Sequence, residues 1–153
     1  MSAESRLAEL GWELPPMRAP LGRNVPHRLA GSTLYVGGCG ALRTDGSFVI
    51  GKLGQELTAE EGYAAARLAG LSMLAKLRHA LGSLDRVEQT LKVIGLVNAL
   101  PSFTEYPKVI NGFTDVLVDV FGDAGLSARM AYGVSGLALN MPVEVDGTFL
   151  VKP

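Results

Sequence analysis

The chain has 153 residues, 48% of them apolar, and a net charge of -1 at pH 7. Its mean hydropathy is +0.25 and its pI about 6.1. A chain of this size and composition folds as one domain with a sizeable core; it is neither disordered nor a general polyanion binder. We therefore read residues 1–153 as a single α+β unit whose first 25 residues form a helix and an extended arm. No apolar run is long enough to span a bilayer, and Glu4, Arg6, Glu9 and Glu13 break up any leader-like stretch. The single cysteine, Cys39, cannot make an internal disulfide, so a cytoplasmic protein is the simplest inference.

Ser2 to Leu10 predicts a short amphipathic helix, with Ser2 as N-cap, Gly11 past its end, and Leu7 and Leu10 on its buried side. Trp12 to Arg23, with Pro15, Pro16 and Pro20, predicts an irregular arm. Arg28–Ala30 and Thr33–Cys39 read as strands joined by Gly31-Ser32, and Thr44-Asp45-Gly46-Ser47 as a hairpin turn into Phe48-Val49-Ile50. Thr58 and Glu61 have capping-box spacing at the start of a long helix that Gly82 ends. Its stripe Tyr63, Ala66, Gly70, Leu74, Leu77 and Leu81 is core, with small residues that allow close packing. Asp85–Val97 is a long strand, apolar on both faces toward its end, which Pro101 breaks. A second helix carries Tyr106, Ile110, Phe113, Leu117 and Phe121. Two starts compete: a capping box at Ser102/Glu105, or Pro107 in the first turn, which fits better. Strands near Ser127–Val134 and Pro142–Val151 follow, with Asp146-Gly147 as a bend or turn. Two helices on one face of a mixed sheet leave the other face bare, which predicts an oligomer built sheet to sheet.

Ala128-Arg129-Met130-Ala131-Tyr132-Gly133-Val134 carries the most informative charge. Alternation puts Arg129 on one face with Ala131 and Gly133, the two smallest side chains, which leaves room for a small ligand. A guanidinium among apolar neighbours needs an anion, either Glu144 in an intramolecular pair or the carboxylate of a ligand. Cys39 stands at a strand end without an evident base. His27 and His79 lack the spacing of a metal or triad motif. Lys76, Arg78, Arg86 and Lys92 read as solvated. No metal or cofactor is expected, no membrane contact, and no nucleic-acid partner, because no basic and aromatic stripe is present.

With these elements placed, Ala128-Arg129, Gly133-Val134 and Pro142-Val143-Glu144-Val145 resemble the paired strands of the RidA/YjgF family of enamine/imine deaminases, also known as endoribonuclease L-PSP. Leu34-Tyr35-Val36-Gly37-Gly38 resembles the family strand that ends Ser-Gly, and Asn111 and Phe121 fall where the second family helix has Asn and Phe. The likeness runs roughly from Arg28 to Val145, and Gly54–Tyr63 looks closer to a longer-chain subgroup. It implies a chorismate-mutase-like α+β fold, a homotrimer, and clefts between subunits. There Arg129 would hold the carboxylate of a 2-imino or enamine acid, and Glu144 would help position water. Gly37, Gly38, Cys39, Asn111 and Ala128 would line the substrate site. Two departures stand out. Pro20-Leu21-Gly22-Arg23-Asn24 lacks the tyrosine of the family's Gly-Pro-Tyr-Ser segment, and Gly37 replaces the serine. Two functions stay open: hydrolytic deamination, or binding of a small carboxylic acid without turnover.

Overall fold

The computed structural model describes residues 1–153, all of the chain. Its elements are α1 (Ala3–Leu10), β1 (His27–Ala30), β2 (Thr33–Gly40), α2 (Ala59–Leu81), β3 (Val87–Asn98), α3 (Tyr106–Phe121), β4 (Ala128–Val134) and β5 (Val143–Val151). The strands form one sheet in the order β1-β2-β5-β3-β4, antiparallel except for the parallel β3–β4 pair that α3 connects. This is the expected α+β architecture. No helix is long and apolar enough to cross a membrane.

The caps fall where their chemistry demands. Thr58 and Glu61 exchange the reciprocal bonds of a capping box, and Gly82 closes α2 at φ +79°. Pro107 sits in the first turn of α3, and Glu105 caps it with no side-chain bond, so the Pro107 start is the right one. Ser2 caps α1, and Leu7 enters the core, but Leu10 stays 40% exposed because one helix of eight residues buries only a narrow stripe.

Both long helices cover the same face. α2 lies over β2 and β5, α3 over β3 and β4, and they touch each other through glycines. A Cβ on Gly112 would stand 2.1 Å from the Tyr63 carbonyl oxygen, and one on Gly70 2.9 Å from Val116. Under α3, Gly95 makes way for Ile110 and Gly133 for Tyr106. The buried core lies between these helices and Val93, Val97, Val143, Val145 and Phe149.

Two local expectations need correction. Phe48–Ile50 makes no strand beyond a single bridge between Leu42 and Phe48. Asp146-Gly147 is not a turn: β5 runs through it, Gly147 pairing with both Val36 and Val93. Gly147 serves packing, since a Cβ there would meet the Phe149 ring at 2.8 Å.

The opposite face carries no helix. Register sets Asp146, Ile94 and Met130 in one row across it, and Glu144, Leu96 and Tyr132 in the next. Tyr35, Met130 and Tyr132 are 52%, 54% and 40% exposed on this open face.

Candidate functional site

Arg129 projects from β4 on the helix-covered side and reaches α3. Its Nη1 donates to Asn111 Oδ1 at 2.8 Å and to Thr114 Oγ1 at 3.2 Å. Nε and Nη2 have no protein partner, and the arginine takes part in no ion pair within the chain. The outer edge of the guanidinium, the edge that matches a carboxylate, is therefore free. The room expected beside Ala131 and Gly133 is taken up in part: Tyr106 fills the space over Gly133, where a Cβ would lie 2.5 Å from its ring.

Glu144 belongs to the other face. It pairs with Leu96 on the open side, whereas Arg129 pairs with Val93 under the helices. An intramolecular Arg129–Glu144 pair is thus ruled out by the pleat: the two side chains leave opposite sides of one sheet. Ala128 also faces away from Arg129 and is exposed. Asn111 is the site residue that stands with Arg129; Gly37, Gly38 and Cys39 stand with Glu144.

That second group is built on a bulge. Between the Val36–Gly147 and Cys39–Val145 pairs, Gly37 and Gly38 oppose Asp146 alone, so one extra residue is forced into β2. A Cβ on Gly38 would lie 2.5 Å from Glu144 Oε1, so glycine lets the carboxylate settle against the backbone. The bulge also frees two carbonyls, and Lys76 of α2 takes both, its Nζ donating to Gly37 O at 3.0 Å and Gly38 O at 2.8 Å. Lys76, read from sequence as solvated, is a half-buried part of the site. Its partners are main-chain atoms, and only the Gly37-Gly38 pair hinted at them. Arg78 and Arg86 are likewise engaged, on Glu4 and on the carbonyls of Leu81 and Lys152.

The Cys39 thiol is fully buried, and burial pushes its pKa up to about 11 even with Lys76 nearby, so it is a packing group and not a nucleophile at neutral pH. His27 and His79 do have partners, namely each other: their ring centroids are 5.9 Å apart. Burial first, then the charges of His79 and Lys76, lower the His27 pKa. No three His, Cys, Asp or Glu side chains converge as a metal site would require.

A cavity of about 320 Å³ opens beside the bulge, bounded by Gly37–Gly40, Lys76, Glu144 and the arm from Pro16 to Pro26. Arg129 does not line it. The candidate residues of one chain therefore fall into two separate groups, an arginine with a free edge between α3 and β4 and a carboxylate beside a cavity at β2 and β5.

A family model of YjgF/chorismate mutase-like proteins, described as candidate endoribonucleases, matches residues 4–146. The match takes in α1 and the arm, more than the Arg28–Val145 span legible from motifs. Protein TCP17 of Trypanosoma cruzi is 41% identical over 143 residues, 93% of this chain and 89% of that protein. The crystal structure of a candidate endoribonuclease from Shewanella oneidensis MR-1 superposes with a TM-score of 0.94 at 36% identity, across 99% of this chain and 100% of that one. The crystal structure of Atu1372 from Agrobacterium tumefaciens, a protein described as of unknown function, gives a TM-score of 0.89 at 33% identity over 98% of this chain and 94% of that one.

Proposed function

This chain belongs to the YjgF/chorismate mutase-like family, and from that premise we propose a RidA-like enzyme that hydrolyses small 2-imino or enamine carboxylic acids to 2-oxo acids and ammonia, in clefts between the protomers of a homotrimer. The observation that carries this reading is the state of Arg129. Neutral oxygens of Asn111 and Thr114 hold one nitrogen, and the remaining edge has no counter-ion. A guanidinium fixed in this way is set up to take a carboxylate in two parallel hydrogen bonds.

Glu144 supplies the base. With Arg129 of one protomer holding the acid and Glu144 of the next beside its C2 carbon, Glu144 accepts a proton from water. The water oxygen bonds to C2, and the C=N electron pair moves to nitrogen, which takes the proton that Glu144 holds. The tetrahedral carbon then collapses: Glu144 accepts the proton of the C2 hydroxyl and passes it to the amine, the C–N bond breaks, ammonia leaves, and the C2–O bond becomes a carbonyl. The open sheet face supports the assembly, because the Ile94, Leu96, Met130 and Tyr132 rows have no cover in the chain itself, and copies related by symmetry would cover them.

Ammonia release from freshly generated 2-iminopropionate tests the reaction, and calorimetry with 2-oxo acids tests the anion site. Arg129→Ala is expected to lower affinity about ten- to a hundred-fold, since a charge-assisted contact is worth roughly 1.5–3 kcal/mol. Arg129→Lys recovers only part, for want of the fork. A wild-type protein that neither binds such acids nor speeds ammonia release would sink the proposal.

One observation favours a second reading, a small-acid binding protein without turnover. Lys76 engages the carbonyls of both Gly37 and Gly38, and Gly37 offers no hydroxyl, so fewer groups are left to hold the attacking water. Binding with no ammonia release would select it. A ribonuclease would need a free basic track, and of Lys76, Arg78, Arg86 and Lys92 the first three are engaged by protein partners.

A further inference from the structure

The cavity beside Glu144 is larger and more apolar than a three-carbon acid requires. It measures about 320 Å³, and its lining includes Met17, Leu21 and Val25 of the arm together with Leu42, Phe48 and Met141 of the body. Met17, Leu21 and Val25 are 38%, 76% and 49% exposed, so the arm offers large apolar side chains without burying them in the core. The arm is pinned on both sides of Leu21 and Val25. Arg18 Nη1 donates to Gly46 O at 2.6 Å with its guanidinium 5.1 Å from the Phe48 ring centroid, and Pro26 O accepts the Gly37 N–H at 2.9 Å. The two cations in the lining, Arg18 and Lys76, are both engaged by backbone carbonyls, so the wall does not call for a second anionic group.

We propose that this cavity is the specificity pocket for the substrate's side chain, and that it selects 2-imino acids with branched aliphatic or aromatic side chains over those of three or four carbons. This rests on the deaminase reading above, in which Glu144 stands beside the reacting carbon; the side chain on the next carbon then extends from Glu144 into the space under the arm. Each methylene transferred from water into such a pocket strengthens binding several-fold or more.

The stable 2-oxo acids serve as probes. Calorimetric titration of the intact protein should find 4-methyl-2-oxopentanoate and phenylpyruvate bound roughly ten- to a hundred-fold more tightly than pyruvate. Ala75→Leu fills the cavity from α2, and Leu21→Asp places a charge on the arm at a position outside the core. Each should cut the ratio of bulky-acid to pyruvate affinity about tenfold. If pyruvate binds as tightly as the bulky acids, or if both substitutions leave that ratio unchanged, the pocket assignment is overturned while the Arg129 anion site stands. If none of the three acids binds, the pocket assignment is overturned; if ammonia release from 2-iminopropionate is absent as well, the deaminase reading fails with it.

Discussion

The two faces of the sheet are closed by opposite means. Under the helices, side chains are removed: Gly62, Gly70, Gly95, Gly112 and Gly133 each have a neighbour where a Cβ would go. On the open face, side chains are large and uncovered, with Tyr35, Met130 and Tyr132 among them and Glu144 and Asp146 between. The first face is completed inside one chain by backbone approach. The second has no such completion, and its shape makes sense as one side of a contact. The contrast separates the face that folds the chain from the face that the proposed assembly would cover, and the candidate site residues divide between the two.

Substitutions that respect this division should affect one property and spare the other. The largest effect is expected from Gly112→Val. Its Cβ would collide with the Tyr63 carbonyl at 2.1 Å, and backbone cannot yield as a side chain does. A loss of about 3 kcal/mol or more should appear as a sharply lowered melting temperature; an unchanged one would refute the close-approach account of α2 and α3. Next is Ile94→Asp, half-buried on the open face beside Asp146 and Met130. On the proposed homotrimer, light scattering should show the mass fall from three chains to one, with the helical circular dichroism retained. If the mass stays at three chains, the face is not the interface.

Deleting residues 1–12 should cost less, about 1.5–3 kcal/mol from the burial of Leu7, together with the Glu4 contacts to Arg78 and the Leu84 N–H. The melting temperature drops and the assembly persists; equal melting would make α1 a loose tail. The smallest effect belongs to Asp146. Burial raises its carboxyl pKa above the ordinary 3.8, so the folded state holds a proton that the unfolded state has released. Stability then falls as pH rises through that window, and the penalty is complete above the folded pKa. Asp146→Asn should raise the melting temperature slightly at pH 7, and the gain should vanish at pH values below the unfolded pKa; a gain independent of pH would point to packing instead.

Periodicity and caps made most of the fold legible. Thr58, Glu61, Gly82 and Pro107 mark helix ends through local chemistry, and local chemistry is written in adjacent residues. Gly147 shows where this stops: a glycine after an aspartate has the signature of a turn, but here it leaves space for Phe149 and Met73 in the core. The same limit holds at the site. Alternation on β4 correctly grouped Arg129 with Ala131 and Gly133, yet it could not say that α3 covers that face, nor that Glu144 leaves by the other. Lys76 was missed because it answers two carbonyls freed by a bulge, and the His27–His79 contact because it joins residues 52 positions apart through the fold alone.

Cys39 has a consequence for how the molecule opens. It is the chain's single thiol, wholly buried in β2 where that strand meets β5, with its thiolate suppressed by burial. A water-borne thiol reagent can reach the sulfur only after the packing that covers it, beside the cavity, has opened. The labelling rate is therefore a clock for that opening, readable under native conditions without an introduced cysteine. A rate that follows denaturant as steeply as global unfolding would make β2 and β5 part of the last structure to be lost; a shallow dependence would mean that the β1–β2 edge swings away on its own.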